Sequence, residues 1–228
     1  MHTISKIIIW LLLVCSAFLG YGGNSRPLVI ENYPTLSQVT ELRKQLLEIA
    51  ESQIGIRELT GNNDGKEIEA YLKSVNLGKG YAWCVAFVVW CHLQISCDFP
   101  IPITAWSPAM FNTNVVYHKY HKRISEWIPK GGEVFGKYYT SKKRIAHVGI
   151  IEKKFSKHFI TVEGNTSLIG AILTKTNLTQ REKDTLERDG IWVAKKIQKP
   201  QDIYIASDHI GSAEIQKALQ QKKSNKNQ

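Results

Sequence analysis

The apolar positions along this chain change their period about halfway. Leu36, Val39, Leu46, Leu47, Ala50 and Ile54 fall on one helical face. Thr35 with Gln38 has the form of a capping box, and Gly55 supplies a stop. A second helix is predicted from Ile68, Tyr71, Leu72 and Val75, ending near Gly78, with residues 60–65 (TGNNDG) as the intervening turn. Residues 84–93 are then apolar on every side apart from His92, the pattern of a buried central helix, and Gly78 and Gly80 open the loop that leads into it.

Beyond residue 130 the pattern turns to short Ile- and Val-rich runs bounded by Gly or charged turns. Strands are predicted at residues 133–137, 145–153, 159–163 and 191–197. Helices first and strands second predict an α+β domain with an antiparallel sheet. Residues 100–130, with Trp106, Phe111, Tyr117, Tyr120 and Trp127, read as irregular, and residues 166–190 as a long polar insertion. Residues 213–223 suit a short exposed helix and residues 224–228 a disordered tail.

The amino end has one Lys, then about a dozen apolar residues, then Gly20, Gly22 and Gly23. A spanning helix needs about 20 apolar residues, so residues 1–23 read as a secretory signal peptide or an N-terminal anchor, and residues 24–34 as a linker. The protein is therefore expected to be exported, to the periplasm or cell surface, with membrane contact only through that segment. Removing the signal leaves Cys84, Cys91 and Cys97 of the four cysteines. An odd number in an oxidising compartment points to a reactive thiol beside a pair, or to buried thiols.

Charge adds a preference for anionic partners. The 228 residues carry 30 Lys and Arg against 20 Asp and Glu, a formal net charge of +10. The same excess also suits a merely soluble basic surface. No zinc-finger, helix-turn-helix or RNA-binding signature accompanies it, so no nucleic acid is expected. Residues 208–228 read as a basic C-terminal tail.

Cys84 opens the buried helix, where the dipole stabilises a thiolate and backbone N–H groups can receive an oxyanion. A structural buried thiol fits the position as well. A nucleophilic thiol needs a base with an orienting partner. His147 lies in a predicted strand, RIAHVGIIEKK, whose alternation places Ile145, His147, Gly149 and Ile151 on one face, with Gly149 leaving room beside the ring. Glu163 and Asn165 end the next strand, and a hairpin returns them alongside His147 as a third catalytic member.

Three segments in this order, YAWCVAFVVWC, AHVGII and VEGNTS, resemble the CHAP family of cysteine, histidine-dependent amidohydrolases and peptidases, relatives of the NlpC-type cell-wall peptidases. The resemblance spans about residues 40–197 and implies a papain-like α+β fold, with residues 35–207 as the catalytic domain. It implies Cys84 as nucleophile, His147 as base and Glu163 as orienter. Asn165 fits a further polar position, either an alternative orienter or an oxyanion donor. The substrate implied is peptidoglycan, cut at an amide of the stem peptide by an N-acetylmuramoyl-L-alanine amidase or an endopeptidase through a thioester. Tyr81, Trp83 and Trp106 are candidate substrate contacts, as are Tyr117, His118 and His121, although ordinary packing or loop surface is the better account of each. Some relatives bind calcium, but only Asn62, Asn63 and Asp64 offer clustered oxygen ligands, too few for a metal site, and no cofactor is expected. Alternative readings are a catalytically silent wall-binding module, or the same chemistry in a secreted effector or conjugation lysin. The oligomeric state is left open.

Overall fold

The apolar run after Trp83 forms a helix because nothing in it breaks one and every face has a partner. A computed structural model describes residues 36–95, 99, 101–168, 170–172 and 190–211. Among these residues there are three α-helices, α1 (Leu36–Ser52), α2 (Lys66–Lys73) and α3 (Cys84–Ile95). Six strands follow: β1 (Val115–His118), β2 (Val134–Tyr139), β3 (Arg144–Lys154), β4 (Phe159–Thr166), β5 (Trp192–Gln198) and β6 (Ile205–Ser207). They form one antiparallel sheet in the order β1-β6-β2-β3-β4-β5. The architecture is α+β. No described helix is long and apolar enough to cross a membrane. The expected signal or anchor, the linker, Thr35, Cys97 and most of the insertion and tail lie outside the described residues.

The helices pack on one face of the sheet. Val39, Arg43, Leu46 and Ala50 form the buried stripe of α1, and Ile68, Tyr71 and Leu72 that of α2. Leu36, expected on the buried face, is 77% exposed, because the first turn of α1 overhangs the core. Ile54 and Val75 pack inward from the turns that follow their helices rather than from helical positions. In α2, Glu67 and Glu69 in the first turn and Lys73 in the last complement the helix dipole. Residues 84–89 of α3 are all buried, and the helix packs on α1, α2, β3 and β4. Gly164 permits that contact: a Cβ there would lie 2.7 Å from Phe87 and 2.8 Å from the Trp83 ring.

A second, smaller core covers the other face. Tyr117, Trp127, Phe135, Ile151, Phe159, Ile203 and Ala206 cluster there, with Trp127 stacked on Tyr117 at 4.9 Å and on Phe159 at 5.9 Å between centroids. The stretch read as irregular therefore supplies β1 and part of this core. Lys154 fastens it by donating to the carbonyls of Ile124 and Trp127, both at 2.5 Å. With both faces covered, β3 is buried continuously from His147 to Ile151, which explains its unbroken apolar run.

The domain also extends past residue 207. Asp208, assigned from sequence to a basic tail, is buried and pairs with buried Arg43 at 2.5 Å, while Arg43 donates to the Gly131 carbonyl at 2.7 Å. His209 and Ile210 are buried as well. An anion so enclosed needs its cation, which ties the end of β6 to the middle of α1.

Candidate active site

β2 and β3 pair regularly until a bulge interrupts them. Lys137 faces His147 and Tyr138 faces Ile145, so Ala146 has no opposite residue. The bulge rotates His147 relative to Ile145, and the expected shared face is lost. Ile145 joins the helix-side core with Val148 and Ile150, while Ile151 belongs to the opposite one. Re-aiming one side chain is the common effect of a bulge near a site.

The hairpin pairing of β3 with β4 brings Glu163 to His147, and the His147 Nε2 to Glu163 Oε2 distance is 2.8 Å. Gly149 makes this possible, though not by leaving space for the ring. A Cβ at 149 would stand 2.7 Å from both Glu163 Cγ and Phe135 Cε1, so the missing side chain is the space that Glu163 fills. The second carboxylate oxygen accepts from Thr161 Oγ1 at 2.6 Å and Gln198 Nε2 at 2.5 Å. Gln198 Oε1 in turn accepts from Lys137 Nζ at 3.2 Å. Thr161, Glu163 and Gln198 are all buried, and each finds its partners within this network.

Cys84 meets the same imidazole from the helix side. His147 acts on its sulfur through hydrogen bonding and charge, and the backbone of Val148 and Val85 acts in the same direction. Because Nε2 is engaged by Glu163, Nδ1 is the nitrogen that faces the thiol. Burial opposes ionisation of Cys84, but the hydrogen bond and charge of His147, with the backbone of those two residues, outweigh it and hold the thiol below its ordinary range. Burial likewise disfavours an imidazolium at 147, yet the hydrogen bonds and charges of Cys84 and Glu163 raise it to about 10. For Glu163, burial is outweighed by His147, with help from Thr161 and Lys196, and the carboxyl falls to about 2. The three groups therefore favour a thiolate, an imidazolium and a carboxylate in a row. Cys91, fully buried on the same helix with no such partner, is a free thiol pushed well up by burial.

Asn165 stands elsewhere from where either expectation placed it. It adopts φ 55°, accepts from the Trp83 backbone N–H at 3.3 Å, and donates to the Gly190 carbonyl at 2.5 Å and to Asn63 Oδ1 at 3.4 Å. Glu163 orients the imidazole, and the Asn165 amide donors are spent on Gly190 and Asn63, so Asn165 instead holds the segment that delivers Cys84. Trp83 is also a correction. It is fully buried, and its indole N–H donates to Glu58 at 2.9 Å, so it packs beneath Cys84 rather than lining a cleft. Glu58, itself buried, accepts from the Asn63 N–H at 2.9 Å with its other oxygen. Sequence reading missed Glu58, Thr161 and Gln198. For Thr161 the available signal was a polar residue two positions before Glu163 in a largely apolar strand, whereas Gln198 follows two lysines in β5 and breaks no pattern.

Tyr81 and Trp106 remain 57% and 53% exposed, with the Arg144 guanidinium 4.3 Å from the Trp106 ring centroid. Tyr117 is core, and His118 and His121 pack on each other at 4.9 Å. Asp64 accepts from the Thr60 N–H and hydroxyl, closing the TGNNDG turn. Among the described residues no group of three or more His, Cys, Asp or Glu side chains is placed to hold a metal. A cleft of about 510 Å³ opens against His147 and Glu163. A larger hollow of about 790 Å³ runs along α1 and touches none of the three residues, so it has no part in their chemistry. No family model matches the chain, and neither a curated protein nor a solved structure matches it.

Proposed function

We propose that this protein is an exported cysteine hydrolase on a papain-like fold that cleaves an amide bond in the stem peptide of peptidoglycan. One observation carries the hydrolase reading: a thiol at the amino end of a buried helix is set against an imidazole whose Nε2 lies 2.8 Å from a buried carboxylate. A structural thiol needs neither partner, as Cys91 illustrates. The choice of peptidoglycan rests on the resemblance of YAWCVAFVVWC, AHVGII and VEGNTS to the CHAP family, and export on the signal-like amino end.

The chemistry follows from the arrangement. The Cys84 thiolate attacks the amide carbonyl carbon, and the carbonyl oxygen takes the negative charge. The Cys84 N–H lies in the first turn of α3, where backbone donors lack helical acceptors, and it supports that oxyanion. His147 gives its Nδ1 proton to the departing amine as the C–N bond breaks, leaving a thioester on Cys84. Water, deprotonated by the same nitrogen, then attacks the thioester and releases a carboxylic acid and the thiol. Glu163 keeps Nε2 protonated and the ring in plane throughout. Such acid–base help is worth roughly 10²–10⁴-fold in rate.

Digestion of purified sacculi, with mass spectrometry of the released muropeptides, tests this reading and names the bond cut. The expected result is a single class of amide cleavage, lost in Cys84→Ala and in His147→Ala, with the melting temperature of Cys84→Ala retained. Equal digestion by Cys84→Ala overturns it.

A further inference from the structure

The cleft beside the triad has a chemical character that the hydrolytic steps leave unused. It meets the imidazole on its Glu163 side, and Cys84 is not part of its wall. The departing amine takes its proton from Nδ1 on the Cys84 side of the ring, and the part of the leaving fragment farther from the scissile bond reaches past the imidazole into this space. Lys137 and Lys199 line that space. Lys137 lies directly opposite His147 in the β2–β3 register, and Gln198 Oε1, 3.2 Å away, takes one of the three donors that an ammonium carries. Lys199 follows the end of β5 and is exposed. Lys196 also borders the cleft, but its ammonium is engaged by Thr166 Oγ1 at 3.2 Å and the Ser167 carbonyl at 3.1 Å. The opposing charges are Glu163, tied to His147, and Asp202, whose Oδ2 accepts from the Lys199 backbone N–H at 3.3 Å.

We propose that this cleft is an anion subsite in which Lys137 and Lys199 bind a free carboxylate on the leaving fragment. The inference rests on the hydrolase reading and sharpens it: the bond cut is one whose amine side is a carboxylate-bearing amino acid or peptide. The volume suits a fragment of that size and excludes nothing smaller. Lys137 also links the subsite to the triad, because the Gln198 amide that accepts from it donates to Glu163.

Binding of the dipeptide alanyl-alanine to the full chain, against its C-terminal amide, tests the proposal by calorimetry without requiring turnover. The acid is expected to bind at least about tenfold tighter than the amide, the scale of one hydrogen bond to a charged group. Lys137→Met and Lys199→Met should each erode that preference, and Lys137→Arg should keep it. Equal binding of acid and amide overturns the subsite, as does a preference that survives the double Met variant with an unchanged melting temperature. Tighter binding of inorganic phosphate than of the dipeptide also overturns it, since the site would then be a phosphate site. Muropeptide digestion run in parallel separates the two readings. Acid-selective, Lys137-dependent binding without any cleavage overturns the hydrolase and leaves the anion site standing. Cleavage that ignores the leaving fragment's carboxylate overturns the subsite alone.

Discussion

Replacing Glu163 by Gln keeps the shape of the side chain and upsets a whole row of hydrogen bonds. Three donors converge on the carboxylate: His147 Nε2 at 2.8 Å, Thr161 Oγ1 at 2.6 Å and Gln198 Nε2 at 2.5 Å. A carboxylate accepts all three, whereas a glutamine has one carbonyl oxygen and an NH₂ group. Turning the Gln198 amide to meet that NH₂ would set its own NH₂ against the Lys137 ammonium, which it now accepts from at 3.2 Å. The arrangement that satisfies the row keeps the new carbonyl on Thr161 and Gln198 and turns the new NH₂ toward His147, which forces the imidazole into the neutral tautomer with its proton on Nδ1 and leaves the imidazolium without its acceptor. The loss of a hydrogen bond to a charged group is worth about 1.5–3 kcal/mol, which corresponds to roughly ten- to a hundredfold in kcat/KM. The same loss lowers the His147 pKa, now raised to about 10, by about one to two units. The assay is kcat/KM on purified muropeptides across pH for wild type and Glu163→Gln. The alkaline limb, which reports the imidazolium of the free enzyme, should move down with the rate. A Glu163→Gln profile that superimposes on wild type in height and in alkaline limb refutes the reasoning.

Gly149→Ala should lower both melting temperature and turnover, because its Cβ meets Glu163 Cγ and Phe135 at 2.7 Å and such overpacking costs about 1–3 kcal/mol; wild-type values of both in thermal melts and muropeptide digestion would contradict the packing. Asp208→Ala leaves Arg43 buried without its partner and should cost about 3–5 kcal/mol in denaturant unfolding, while Cys84 stays reactive toward alkylation in the folded protein. The depressed carboxyl of Glu163 stabilises the fold fully above its unfolded value of 4.5, and that contribution is lost as pH falls toward about 2. The difference in melting temperature between wild type and Glu163→Gln should therefore be largest above pH 4.5 and shrink below it; a difference that grows on acidification would overturn the assignment.

Much of this arrangement was legible in the chain because it is built from breaks in a pattern. A thiol at the start of an all-apolar helix, and a histidine and a glutamate within apolar strands, stand out, and the β3–β4 hairpin needs only adjacency to bring His147 and Glu163 together. β6 was missed because it has three residues, too few to show a period, and β1 because Val115 and Val116 on the sheet edge are exposed. Trp83 was misplaced for a different reason. Its neighbour Cys84 faces His147, but Gly164 opens a slot in β4 that draws the indole inward. Asp208 looked like the start of a tail because its partner, Arg43, lies 165 positions away, a separation no local pattern reports. The bulge at Ala146 was invisible for a similar reason, since it is defined by the register against β2 rather than by residue type.

The central claim, that Cys84 is held as a thiolate by His147, is tested most directly by the pH dependence of its alkylation. The protein is treated with iodoacetamide at a series of pH values, and modification is located by peptide mass spectrometry. The account predicts a rate at Cys84 that is already on its plateau well below the ordinary thiol value of about 8.5, that moves up toward that value in His147→Ala, and that leaves Cys91 unmodified while the protein is folded. A rate that climbs only through about pH 8.5 in wild type, and is unchanged in His147→Ala, would contradict it.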